Sequence, residues 1–348
     1  MKNRSLIYLI LASCFFFISC STSLTSNLPT VTGRANEVVI VTDLSVWDSP
    51  VGDTIRYVFE EPVPALPQYE PYFSILHKDP LSFLNSSMYK NHRNVCRVSM
   101  ADTLENKVVL REDVFSTPQL VMDVTASSPD SLIALLLRNK ESILRIFRQK
   151  ELKRNISINE RTLHQDIHNV LKKDHFVSLT IPRGWNLDVN KKDFAWISMD
   201  IDRENVQLGI LVWHYPYTDE KQFSREELLR TMNHVMMANV PGPEEGSYMV
   251  TDTVNYETFY EPILYHDQYY VWMKGLWYTE NYFMGGPYVS LSAVNEKAGQ
   301  IVTVNAYVYA PQRDKRNYLR QLEAIVSSLS VDYSADKVDP ASFVPDSL

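Results

Sequence analysis

Tyr269-Tyr270-Val271-Trp272-Met273-Lys274-Gly275-Leu276-Trp277 decides the fold class. Strand residues alternate between two faces. Tyr269, Val271 and Met273 share one parity and Tyr270, Trp272 and Lys274 the other, so both faces carry aromatics. A strand apolar on both sides is expected to be covered on both. Around it lie Phe176–Pro182, Phe194–Met199, Val206–Trp213 and Ile301–Tyr309, all strand-like. Most follow one another without a helix between them, which argues for an antiparallel sheet. Helices are expected at 223–238 and 314–329.

Upstream the pattern changes. Glu37–Thr42, Phe73–Leu76, Arg93–Met100 and Leu120–Thr125 are strand runs interleaved with helical ones. Pro50–Glu61 reads as a helix, with Asp48 or Ser49 as cap and Pro50 in its first turn. A long amphipathic helix is predicted from Ser128 to about Arg154, with apolar Leu132, Leu136, Ile143 and Phe147. A second follows at about 158–173. The expected class is α+β: two mixed α/β domains with mainly antiparallel sheets, joined by a helical segment. The divisions are 37–127, a helical bridge 128–174, a second domain 175–332 and a flexible tail 333–348.

The N-terminal region reads as an address. Lys2 and Arg4 precede an apolar run, Leu6 to Ile18, too short to span a bilayer as a helix. Phe17-Ile18-Ser19-Cys20 resembles a bacterial lipobox, in which the cysteine is acylated and becomes the mature N-terminus. Leu11-Ala12-Ser13-Cys14 fits the same pattern. Cleavage there leaves a very short apolar run and strands Phe15 to Ile18 in water, so Cys20 is favoured. Residues 1–19 are then a lipoprotein signal peptide and 20–36 a flexible tether. The expected partner is the lipid bilayer, through the acylated cysteine. With Ser21 after it and no acidic run following, the expected location is the outer membrane, facing the periplasm. Cys96, in an alternating run, is expected to be a buried small hydrophobe.

Composition narrows the function. The chain has 348 residues and a formal charge of −8, which argues against a nucleic-acid partner. It holds ten glycines, few against an average near ~7%, and no phosphate-binding loop motif. There is no G-x-S-x-G. His164-Gln165-Asp166-Ile167-His168 has the two-histidine spacing of zinc helices, but Gln165 replaces the general base, and a zinc site needs a third ligand, for which His175 is near in sequence but at the far end of the expected helix. No catalytic residue, metal or cofactor is expected.

Asn36–Val39, Gly52–Arg56, Leu66–Pro71, Val240–Pro243, Gly246–Met249, Gly275–Trp277, Met284–Pro287 and Lys315–Arg320 together resemble the Bacteroidota lipoprotein family known as domain of unknown function 4837, over nearly the whole mature chain. That resemblance implies an envelope lipoprotein and supplies no catalytic residues. Ile181-Pro182-Arg183-Gly184-Trp185 and the closing helix are similar to Mog1/PsbP-type sandwiches, which mostly bind or assemble.

Two surfaces are candidates. Arg313, Lys315, Arg316 and Arg320 gather at the start of the last helix, where cations oppose the macrodipole, a pattern that suits an anion or a partner. Trp272, Trp277, Met284, Gly285 and Gly286 are the candidate aromatic or loop surface for an envelope protein or glycan, with Gly285-Gly286-Pro287 read as a tight turn. The functional expectation is a non-catalytic binding or assembly module. The alternative is an envelope hydrolase whose site is assembled from distant residues.

Overall fold

The computed structural model describes residues 28–265 and 268–331. Cys14, Cys20, the signal region and the tail 333–348 lie outside the described residues.

In the first unit the strands are β1 (Glu37–Val41), β2 (Ser74–Lys78), β3 (Asn94–Met100), β4 (Lys107–Glu112) and β5 (Leu120–Ala126). The helices among them are α1 (Leu44–Trp47), α2 (Pro50–Phe59), α3 (Pro80–Asn85) and α4 (Ser87–Lys90). They are followed by α5 (Pro129–Arg138) and α6 (Lys140–Arg161). Ser49 caps α2, its hydroxyl accepting from Val51 N at 3.2 Å. The sheet order is β2-β1-β3-β5-β4. Only β4, at the edge, runs antiparallel to its neighbour. The first sheet is therefore mixed rather than antiparallel, because helices or other crossovers separate its successive parallel strands.

One face of this sheet is buried. Ile40, Cys96, Met122 and Val124 meet Ile55 and Phe59 of α2, Leu136 of α5 and Phe147 of α6. Burial pushes the Cys96 thiol up to about 12, so it packs as a hydrophobe.

In the second unit α7 (Gln165–Asp174) precedes β6 (Asn186–Asn190), β7 (Phe194–Ile201), β8 (Val206–Pro216), α8 (Arg225–Asn239) and β9 (Tyr248–Asp252). Then come β10 (Phe259–Tyr265), β11 (Gln268–Glu280), β12 (Gly285–Asn295), β13 (Gln300–Tyr309) and α9 (Arg316–Val326). The sheet is antiparallel, β10-β11-β12-β13-β8-β7-β6, with β9 also on β11. It forms the middle of three layers. Leu171 of α7 and Leu322 of α9 cover the face of Trp272, Leu291 and Val304. Met232 and Met236 of α8 cover the face of Met273, Trp277 and Ile301. The two-sided apolarity of β11 is thus explained by helices on both sides.

Four local expectations change. The predicted helix from 128 breaks at Asn139, whose side chain donates to Leu135 O at 2.7 Å and ends α5. The bridge is divided: α5 and α6 pack on the first sheet, while α7 packs on the second. The tether docks from Pro29 onward, where Thr117 N donates to Pro29 O at 2.9 Å and Thr32 N to Asn91 O at 2.8 Å. Residues 176–182 form no ladder strand; they are held by isolated bridges, Ser178 with Ser330 and Leu163 with Pro182.

Candidate functional site

The start of α9 is filled from within the chain. Its first amides have no helical partners and attract an anion. That anion is Glu70, whose carboxylate accepts from Lys315 N at 2.8 Å and Arg316 N at 2.7 Å. Arg316 reaches back across the same joint, donating to Pro71 O at 2.6 Å and Ser74 Oγ at 3.3 Å. Asn36 Nδ2 donates to Asn317 Oδ1 at 2.9 Å. Arg313 Nε donates to Glu204 O at 2.6 Å, and Lys315 Nζ to Arg313 O at 2.7 Å. The predicted anion surface is therefore corrected: Arg316 and the amides of Lys315 and Arg316 build the joint between the two units, while the side chains of Arg313 and Lys315 bond within the second. The reading missed Glu70 because the partners are 245 residues apart.

Behind the joint lies a sealed charge cluster. Lys274 of β11 is 1% exposed and its Nζ is 2.7 Å from Glu323 Oε1. Arg320 Nη1 donates to the other Glu323 oxygen at 2.5 Å. Arg148 of α6 and Arg320 lie over the Tyr72 ring, at 4.5 and 6.0 Å from its centroid. Burial disfavours the Glu323 carboxylate, but Arg320 and Lys274 outweigh it and hold its pKa down at about 2. Burial lowers Lys274 to about 8, although Glu323 opposes that shift. These are the titration shifts usually sought at an active site, yet the groups are enclosed by protein.

The second predicted surface is core. Trp272 and Trp277 are 3% and 4% exposed, and they enter opposite faces of the sheet. Trp277 Nε1 donates to Val308 O at 3.3 Å. Gly285 and Gly286 open strand β12 and do not form a turn; the turn is at 281–283. Gly286 is required by close approach, since a Cβ there falls 2.0 Å from Val308 O. Met284 is half-buried and packs against the lower core.

The histidine pair does not converge on a ligand. His164 caps α7 through Nδ1, 3.5 Å from Ile167 N, and His168 Nδ1 lies 3.0 Å from Leu179 O. His175 is buried, with Nε2 2.7 Å from Asn190 Oδ1. Among the described residues no group of three or more His, Cys, Asp or Glu is arranged to hold a metal.

An aromatic surface exists at the other end of the second sheet. A cleft of about 800 Å³ is walled by Tyr217, Phe223, Tyr260 and Tyr269, with Glu220 and Glu296 at its margin. Phe223 meets Tyr269 edge-on at 5.1 Å and Tyr217 at 6.2 Å. Tyr260 Oη donates to Phe223 O at 2.8 Å, and burial raises its pKa to about 12, so the phenol stays neutral. Tyr269 belongs to the strand run Tyr269–Trp277, and Tyr260 to β10, which pairs with it. Tyr217 and Phe223 lie in neither, and only the pairing of β8 with β13 brings their segment alongside.

Residues 164–328 match the family model described as Domain of unknown function (DUF4837). Residues 31–160 match a second, Domain of unknown function (DUF8532). No curated protein matches the chain. The resemblance drawn from sequence over nearly the whole chain is thus divided. Its runs at 36–39, 52–56 and 66–71 fall in the second match, and the later ones in the first. The division coincides with the end of α6, where the chain leaves one sheet for the other.

Proposed function

We propose that the chain is a membrane-anchored envelope lipoprotein, acylated at Cys20, whose folded body is a non-catalytic binding or assembly module. The apolar run ending in Phe17-Ile18-Ser19-Cys20 supports the anchor. Ser21 after the cysteine supports an outer-membrane, periplasm-facing location, and the sequence runs quoted above support a Bacteroidota family. The three-layered second unit is consistent with a Mog1/PsbP-type module, although fold alone does not fix function.

One observation carries the binding reading. The strongly shifted carboxylate and amine, Glu323 and Lys274, are buried within the protein, whereas the open concavity presents aromatic rings and the neutral phenol of Tyr260. Aromatic walls with a polar margin suit stacking against an envelope polymer or a partner protein.

The two halves are tested separately. An alkyne-palmitate analogue labels the wild-type chain in cells, and Cys20→Ser abolishes both labelling and sedimentation with membranes; unlabelled wild type defeats the anchor. A photo-crosslinking residue in place of Tyr217 captures a discrete envelope component, and Tyr269→Ala removes that product. Capture that is insensitive to Tyr269→Ala defeats the assignment of the cleft.

A further inference from the structure

The first sheet has a second face, part of which lines a groove. Val39, Val95 and Val121 on this face pack under Phe83 of α3. Beyond α3, towards β4, whose residues are mostly exposed, it borders an open groove. Parallel sheets ordinarily bury both faces. The groove, of about 520 Å³, has Val41, Phe83 and Val109 as apolar wall and Arg97, Arg111 and Asp123 as polar floor.

One margin of the groove adjoins a reversal of strand order. The chain leaves β1 for β2 on one side and later places β3 on the other, so the strand order reverses between β1 and β3. In open sheets with parallel strands, ligands bind outside the carboxyl ends of the strands at such a reversal. Val41, the last residue of β1, borders the groove at that reversal, while Arg97 at the middle of β3, Asp123 of β5 and Arg111 of β4 floor it across the sheet face towards the edge.

The floor is electrostatically incomplete. Arg97 Nε donates to Asp123 Oδ1 at 2.5 Å, and Arg111 Nη2 pairs with the other Asp123 oxygen. One carboxylate thus holds two guanidiniums side by side, leaving one excess positive charge. Each guanidinium engages Asp123 through one nitrogen and retains further N–H donors. The register enforces this, since Asp123 on the central strand pairs with Arg97 on β3 and with Val109 on β4, two residues from Arg111.

We infer that this groove binds a small organic oxyanion on an apolar body, a carboxylate or a phosphate monoester. The anion lies across the free N–H groups of Arg97 and Arg111, and its apolar part lies along Val41, Phe83 and Val109. The site is in the first unit and is independent of the aromatic cleft.

Phenyl phosphate, benzoate and inorganic phosphate are titrated by calorimetry into the full chain held in nanodiscs. Phenyl phosphate or benzoate binds saturably, and the tighter of the two identifies the headgroup. Inorganic phosphate, lacking the apolar part, binds at least about ten-fold more weakly. Arg111→Gln, at a half-exposed edge position, weakens the organic anion by about ten-fold. Asp123→Asn removes the competing carboxylate and strengthens it, an outcome a purely structural ion pair does not give. No saturable binding of either organic anion overturns the inference, as does affinity unchanged in Arg111→Gln with the melting temperature preserved.

Discussion

Lys274 follows Trp272 on the same face of β11, and its parity in the sequence already directed it to a covered side. What the sequence did not show was its company. Glu323 is the anion between two buried cations, Lys274 and Arg320, with Arg148 close by. Glu323→Gln leaves those cations uncompensated and is expected to cost about 3–5 kcal/mol in urea unfolding. Lys274→Met removes a cation from a site that keeps Arg320 on Glu323, so its expected change is within about 1 kcal/mol. Equal losses for the two variants would refute this account of the cluster. The pH dependence has a defined sign. Glu323 is lowered from 4.5 to about 2, so its stabilisation is complete above 4.5 and is lost as the pH falls towards 2. His214, buried beside His175, is lowered from 6.5, mainly by burial and then by its neighbour. The unfolded chain therefore takes up that proton first, and stability already declines as the pH drops below 6.5. Urea midpoints from pH 7.5 to 4 are expected to fall, with the decline between 6.5 and 5 reduced in His214→Phe.

Among the elements, α9 shows where local reading stops. Its presence was legible, though the expected 314–329 overran the observed Arg316–Val326 at both ends; Leu319, Leu322 and Val326 form its buried stripe. The cations at its start conflicted with the macrodipole, but the anion found there, Glu70, is held by the amides of Lys315 and Arg316. The anion arrives from a loop before β2, which no local pattern reveals. The break at Asn139 was equally hidden, because apolar spacing continues across it while one side-chain hydrogen bond ends the helix. Glu70 accepts two amide hydrogen bonds at the start of α9. Glu70→Ala is accordingly expected to destabilise by about 1–3 kcal/mol, from an unpaired helix start and lost charge complementarity. Hydrogen exchange locates the effect: protection should fall at the amides of Lys315 and Arg316 and change little in α8. Unchanged exchange at α9 would show that Glu70 is not its cap.

At the scale of the whole molecule, strand succession was enough to separate an interleaved first unit from an antiparallel second one. It was not enough to show that the two share a joint, because sequence patterns report burial and not partners. Trp272 and Trp277 illustrate the same limit: an aromatic strand looks alike whether a helix or a ligand covers it. The joint consists of the Glu70 cap, Arg316 on Pro71 and Ser74, and the rings and charges around Tyr72. Coupling this extensive makes the units unfold together, so the wild-type chain is expected to give one calorimetric transition with matching calorimetric and van't Hoff enthalpies. Glu70→Ala combined with Arg316→Ala removes the outer half of the joint and leaves both cores intact. The combined variant is expected to show two transitions, or a van't Hoff enthalpy well below the calorimetric one. A single sharp transition in that variant would mean that the cluster around Tyr72 and Glu323 couples the units by itself, and Glu323→Gln in the same background would then separate them.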